Sequence, residues 1–184
     1  MKAADEQQLI LRVREGDHEA FRLLVERYMK YAYNIAYGFV GDHDDAEDVA
    51  QESFVKVYEA IKSFRGDSAF NTWLYRIVTN LSLNRVRQKK ISITNMSIIE
   101  NSATHTGDFF KVHQAEETRE IIEKALHELP TLQRAVVILR HINGLSTRQV
   151  GEILRCSEGT VKTHLHRGIL KMRTKVDFLK DEVV

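Results

Sequence analysis

Between Phe21 and Phe39 the apolar residues recur in steps of three and four: Phe21, Leu24, Val25, Tyr28, Ala32, Ile35, Ala36 and Phe39. That spacing draws one continuous stripe along a helix and none along a strand. A chain of such segments has to bury helix against helix. The period returns in Ala46, Val49, Ala50, Ser53, Val57 and Ile61, then in Ile121, Ile122, Ala125, Leu126 and Leu129, and again in Leu132, Ala135, Val136 and Leu139. Valine, isoleucine and threonine alternate with polar residues over no long run, so strands are not expected. The punctuation agrees with helices. Asp5, Asp17, Asp42 or Asp44, Ser146 and Ser157 stand where N-caps belong, and Gly16, Gly41 and Gly144 stand at stops. The single proline, Pro130, opens a helix, where its missing N–H is harmless.

The period lapses over residues 91–117, where ISITNMSIIENSATHTGDFF is rich in Ser, Thr and Asn. A stretch of that length is long for a loop within a compact domain, so it reads as a linker. The expected fold is all-α, with two small helical domains joined by a flexible linker. Residues 1–90 form the first domain, 91–117 the linker and 118–184 the second, which contains a helix-turn-helix. No apolar run approaches the roughly 20 residues that span a bilayer, so membrane insertion is not expected. MKAADEQQ lacks the apolar core of a signal peptide, and a lone cysteine, Cys156, fits a reducing compartment. A cytoplasmic location is expected.

Charge is unevenly spread. Residues 1–60 carry 13 acidic and 7 basic side chains, and residues 61–91 carry 1 acidic and 7 basic ones. Residues 92–130 are acidic again, with 7 against 3, and residues 131–184 are basic, with 10 against 5. Two basic segments suggest two contacts with a polyanion, although solvated helix faces give the same composition.

The most specific feature is STRQVGEILRCSEGTVKTHLHRGILKM, residues 146–172. Ser146 and Gln149 form a capping-box pattern, and a turn of about three residues separates two helices. Val150, Ile153 and Leu154 face Val161, Leu165 and Met172, with Gly151 where the helices cross. This is a helix-turn-helix, whose second helix lies in the DNA major groove. Thr160, Lys162, Thr163, His166 and Arg167 project from the outer side of that helix, where donors reach phosphates and base edges. An ordinary helical hairpin with a basic face is the weaker alternative.

A second feature lies on the helix after the loop Phe64-Arg65-Gly66-Asp67-Ser68. At about 100° per residue, Arg76, Arg87, Asn80, Trp73 and Asn84 fall within one arc of about 80°. Phe70, Leu74, Ile77, Val78 and Leu81 occupy the core side. Amide and guanidinium groups beside an indole suit unpaired bases, which need hydrogen bonds and a stacking surface. A surface helix with Trp73 in the core is an equal reading of the same residues. Arg85, Arg87, Lys89 and Lys90 extend the positive charge.

The third feature is the acidic run from Asp42 to Asp48, with Gln51 and Glu52. Acids at a helix N-terminus are favoured by its dipole. Asp45, Asp48, Gln51 and Glu52 also share the face opposite Val49, Ser53 and Val57, which suits a protein partner. His43-Asp44 matches a doublet of metal-dependent phosphohydrolases, but His18, His105, His113, His127 and His141 supply no supporting pattern. His164 and His166 face apart at i, i+2. No metal, cofactor, nucleophile triad or phosphate loop is expected, and Cys156 reads as core packing.

Residues 41–90 and 128–172 together resemble the extracytoplasmic-function sigma factors of bacterial RNA polymerase. The strings that carry the resemblance are DAEDVAQESFVKVYEAI, FRGDSAFNTWLYRIVTNLSLNRVRQ, LPTLQRAVVILRHINGLSTRQVGEIL and SEGTVKTHLHRGILKM. The resemblance implies a factor that directs core RNA polymerase to promoters and helps open the DNA, with no catalysis of its own. It implies that Asp45, Asp48, Gln51 and Glu52 bind the polymerase clamp. Phe64, Arg65, Phe70, Trp73, Arg76, Asn80, Asn84 and Arg87 would take the opened minus-10 element, with one base flipped into a loop pocket. Ser157, Thr160, Lys162, Thr163, His166 and Arg167 would read the duplex minus-35 element. It also implies an anti-sigma factor that masks these surfaces. Arg155 departs from the family by standing where Gly is usual in the turn, and His164 and His166 stand where many members carry Arg. A stand-alone helix-turn-helix regulator and a helical metal phosphohydrolase are the competing functions.

Overall fold

The computed structural model describes residues 3–96 and 121–182, and among them every regular element is helical. In chain order these are α1 (Ala3–Arg14), α2 (His18–Val40), α3 (His43–Ala60), a 3-10 turn (Ile61–Ser63) and α4 (Phe70–Met96). They are followed by α5 (helical residues 121–127), α6 (Thr131–Val137), a π-helical turn (Ile138–Ile142), α7 (Thr147–Leu154) and α8 (Glu158–Glu182). Helix α4 continues through Met96, beyond the point where the apolar period lapses. The remainder of the segment to residue 117, and its expected flexibility, lie outside the described residues.

The caps sit where the sequence places them. Asp17 accepts from the backbone N–H groups of Glu19 (2.9 Å) and Ala20 (3.0 Å) and is held by Arg12. The Ala20 amide and the Arg12 guanidinium lower its carboxyl below the usual carboxylate range. Gly41 ends α2 at φ 70°, a left-handed conformation that glycine adopts freely. Asp42 caps α3 through the Asp45 amide at 2.9 Å. Ser146 and Gln149 close a reciprocal capping box at 3.2 and 2.9 Å, and Ser157 caps α8 through the Thr160 amide at 3.1 Å.

Helices α2, α3 and α4 pack around Leu24, Ile35, Phe39, Val49, Val57 and Leu74, all fully buried. Each such side chain contributes about 1.5–3 kcal/mol by leaving water. A polar clamp fixes α3 against α4. Asp45 pairs with Arg85 Nη1 at 3.3 Å and with Lys89, and its side chain is only 12% exposed. In the C-terminal half, α6, α7 and α8 close over Val136, Leu139, Val150, Ile153 and Val161. Leu132, expected on the inner face of α6, is 37% exposed, whereas Gln133 and Arg134 are buried. Ile122, expected inward on α5, is 40% exposed. Ala135, Val136 and Leu139 are buried as expected, and Gln133 and Arg134 join them because α6 is enclosed on more than its apolar side.

The helix-turn-helix depends on two backbone details. Arg155 ends α7 at φ 54°, ψ 47°, the left-handed region its position in the turn demands. Gly151 lets the turn fold back, since a Cβ there would lie 2.8 Å from the Cys156 carbonyl oxygen. Cys156 is half-buried beside this contact, and burial pushes its thiol pKa up. Three stability outcomes follow, each read by thermal or urea denaturation. Gly151→Ala lowers stability by about 1–3 kcal/mol, because the obstacle is backbone. Arg155→Gly raises it by up to about 1 kcal/mol by relieving the left-handed strain. Asp45→Asn weakens the α3–α4 clamp by about 1–2 kcal/mol, whereas Asp48→Asn, at an exposed position, changes stability by less than about 0.5 kcal/mol.

Candidate nucleic-acid and polymerase interfaces

The loop from Phe64 to Phe70 is anchored to α4 by stacked aromatics. Phe64 lies 4.9 Å from Trp73 and 5.9 Å from Phe70 between ring centroids, and Phe70 reaches Tyr28 of α2 at 5.4 Å. Phe70 is buried, Phe64 and Trp73 are half-buried, and Arg65 is exposed and pairs with Asp67 at 3.2 Å. Trp73 is neither fully core nor fully surface: it packs against Phe64 and Phe70 and keeps part of its surface in solvent. A cavity of about 370 Å³ opens between this loop and α1, lined by Ile10, Leu11, Phe64, Gly66, Ser68 and Phe70 among others. An apolar floor with a glycine-bearing rim can accept a flat group.

Beyond the aromatic cluster, Asn80, Asn84 and Arg87 are exposed along α4 in the arc expected from their spacing. Arg76 belongs to the same arc but is half-buried, and its Nη2 donates to the backbone oxygen of Glu152 in α7 at 2.9 Å. Arg85 and Lys89 do not extend a free positive surface, because they hold Asp45.

The outer face of α3 is split. Asp48, Gln51 and Glu52 are exposed, with Asp48 also reached by Arg85 Nη2 at 3.6 Å, whereas Asp45 is turned into its clamp with α4. Val55, exposed at 56%, continues the Asp48–Glu52 row one turn further and was not singled out from sequence. An apolar residue on an otherwise charged face is its only local signal, and it gives that face a desolvatable centre. His43 stacks near Tyr37 at 4.7 Å and pairs with Tyr33, and among the described residues no three His, Cys, Asp or Glu side chains converge as a metal site.

On α8, Ser157, Lys162, Thr163, His166 and Arg167 are exposed and Thr160 is half-buried. Val161 is buried beneath them, so the helix presents one donor-rich side outward. Ser157 Oγ and Thr160 Oγ1 are 2.9 Å apart, and Thr163 Oγ1 donates to the Gly159 carbonyl. Gly168, at the crossing with α6, lets α8 approach closely: a Cβ there would stand 2.9 Å from a methyl of Val137. The first turns of α8 thus project beyond the helices that support it. No helix among the described residues is long and apolar enough to cross a membrane.

Comparison with known proteins covers both halves. The family model for sigma-70 region 2 matches residues 24–91, and that for sigma-70 region 4 matches residues 119–172. The ECF RNA polymerase sigma factor SigW of Bacillus subtilis (strain 168) is 35% identical over 176 residues, covering 91% of this chain and 94% of its own. The ECF RNA polymerase sigma-E factor of Escherichia coli (strain K12) is 35% identical over 180 residues, covering 93% and 94%. The fold matches CnrH, solved in complex with the cytosolic domain of CnrY, with a TM-score of 0.71 at 23% identity over 94% of this chain and 97% of that one. It also matches RpoE of Bartonella quintana, solved with the anti-sigma factor NepR, with a TM-score of 0.67 at 23% identity over 85% and 96%. A regulator that bound duplex DNA alone would leave the match at residues 24–91 without a purpose. With both sigma-70 regions present in order and full-length relatives at this identity, the chain belongs to the extracytoplasmic-function sigma factors, which direct RNA polymerase to promoters.

Proposed function

We propose that the work of promoter recognition is divided among three surfaces of this chain. The outer face of α3, through Asp48, Gln51 and Glu52 around Val55, docks on core polymerase, with Asp45 fixing the helix from behind. The aromatic-anchored loop with Phe64 and Arg65, together with Trp73, Arg76, Asn80, Asn84 and Arg87 of α4, takes the opened minus-10 strand. Ser157, Thr160, Lys162, Thr163, His166 and Arg167 of α8 read the minus-35 duplex. The observation that carries this reading is the row of exposed amide and guanidinium groups on α4 beside the half-buried Trp73. Unpaired bases need both stacking and edge-directed hydrogen bonds.

The division into residues 1–90 and 118–184, with a connecting segment at 91–117, is supported by the separate ranges of the two family matches. The chain carries out no catalysis of its own, and the bond-forming chemistry belongs to the polymerase. Its place of action is the cytoplasm. An anti-sigma factor is a further partner, as NepR is for RpoE.

Three experiments test the assignment. Asp48→Lys with Glu52→Lys abolishes binding to core polymerase while thermal stability falls by no more than about 1 kcal/mol, because both positions are exposed and the Asp48–Arg85 pair is solvated; retained affinity would remove the α3 face from the interface. Asn80→Ala in holoenzyme permits closed-complex formation and reduces strand opening, measured by permanganate reactivity of promoter thymines. For α8, promoter selection with Lys162→Ala, Thr163→Ala, His166→Ala and Arg167→Ala holoenzymes separates two kinds of contact. A lost phosphate contact weakens all sequences and lowers the salt slope by about 1. A lost bidentate base contact costs about 1–3 kcal/mol and relaxes one minus-35 position. At least one of the four relaxes a minus-35 position and leaves the minus-10 preference unchanged.

A further inference from the structure

Arg155 is the only residue other than glycine that holds a positive φ among the described residues, at 54°. The left-handed region brings a Cβ too close to the following carbonyl oxygen, at a cost of roughly 1 kcal/mol. Nothing within the fold offsets that cost. The side chain is exposed, and among the described residues its guanidinium makes no ion pair or hydrogen bond. Arg148, also exposed and two turns back on α7, behaves otherwise: it pairs with Glu152 at 3.1 Å. Strain kept at an exposed position with no internal contact points to a contact outside the chain.

The turn holds Arg155 in a fixed relation to α8. Cys156 N–H donates to the Gly151 carbonyl at 3.0 Å. Ser157 Oγ accepts from the Thr160 amide at 3.1 Å, so the backbone is tied from the end of α7 into the first turn of α8. Between Arg155 and Lys162 the chain carries no basic residue and one acid, Glu158. His164 is half-buried, with its Nδ1 buried and unpartnered. Ahead of Lys162, the only full positive charge at the leading end of α8 is therefore Arg155. A recognition helix enters the major groove by its N-terminal turns. The turn before it then stands beside the sugar–phosphate wall rather than the base edges.

We propose that Arg155 is a positioning contact for promoter duplex: its guanidinium binds a backbone phosphate at the edge of the groove that α8 enters. The inference rests on the reading of α8 as the minus-35 helix. A guanidinium suits the task because its planar fork takes two phosphate oxygens at once and stays charged at every physiological pH. The contact carries no base information of its own. It sets the angle and depth at which α8 sits, on which the base contacts of α8 depend. Glycine at this place relieves the strain and removes the contact together. Stability of the free chain and affinity for duplex therefore move in opposite directions.

The test uses holoenzyme assembled from the full chain and core polymerase, bound as the closed complex to a promoter duplex that carries the minus-35 element. Arg155→Gly raises the melting temperature of the free chain yet weakens closed-complex binding by about ten-fold. It lowers the salt slope by about 1. Ethylation of one backbone phosphate interferes with binding by the parent and no longer with the variant. The ranking of minus-35 sequence variants is unchanged. Arg155→Gln, which keeps the Cβ and loses the charge, binds as weakly as the glycine variant without its gain in stability. Arg155→Lys retains the parent's salt slope. The proposal is overturned if either uncharged variant binds with the parent's affinity and slope, or if Arg155→Lys loses the slope as glycine does. It is also overturned if Arg155→Gly relaxes one minus-35 position, which makes Arg155 a base reader. The α8 variants separate the two readings. If Lys162→Ala, Thr163→Ala, His166→Ala and Arg167→Ala all keep the parent's minus-35 preference, α8 is not the reader and the contact falls with it. If at least one relaxes that preference while Arg155→Gly binds as the parent does, the Arg155 contact alone is removed.

Discussion

A helix has only one circumference, and α4 divides it three ways. Phe70, Leu74 and Val78 hold the N-terminal core, Thr72 and Tyr75 lie on the edge that meets the helix-turn-helix half, and Asn80, Asn84 and Arg87 remain in solvent. At 27 residues it is about 40 Å long, enough to serve all three along much of its length. Asp45 of α3 clamps it through Arg85 and Lys89. The loop that precedes it is moored by Phe64 and Trp73. The partner-facing side of α3 is therefore set by the same helix that presents the row of amides.

Much of this architecture was legible because it is local. Helix starts follow from Asp17, Asp42, Ser146 and Ser157, whose side chains bond amides two or three residues away. The recognition helix was legible because Val150, Ile153 and Val161 fix which side is buried, leaving Lys162, Thr163, His166 and Arg167 outward. The left-handed conformation at Arg155 accords with the glycine that the family usually carries at that place in the turn. What periodicity missed depends on partners distant in sequence. Asp45 shares a face with Asp48 on the wheel, but Arg85, 40 residues on, claims it. Arg76 belongs with Asn80 by spacing, but a backbone oxygen 76 residues away takes its guanidinium. Leu132 differs for another reason: it sits in the first turn of α6 and is 37% exposed, while Ala135, Val136 and Leu139 of the same stripe are buried together with Gln133 and Arg134, whose burial the apolar period does not encode.

The alternation of acidic and basic segments gains a physical account from these contacts. Part of the acidic and basic charge of the N-terminal half cancels internally, where Asp45 meets Arg85 and Lys89. What remains outward among the described residues is an acidic row on α3, Arg87 on α4 and a basic side on α8. Opposite charges on separate faces of one molecule disfavour its binding in the wrong orientation, because like potentials repel before contact is made. Partners of opposite charge are thereby sorted to different sides of the chain.

Trp73 is the only tryptophan in the sequence, and it sits where the loop from Phe64 meets α4. Half of the indole is packed against phenylalanine rings and half is wet. Indole emission responds to the polarity of its surroundings and is quenched when a nucleobase stacks on it, so every change in the tryptophan signal of this protein originates at one address. The junction of this loop with α4 thus carries its own optical reporter, readable without a label and unmixed with any second tryptophan.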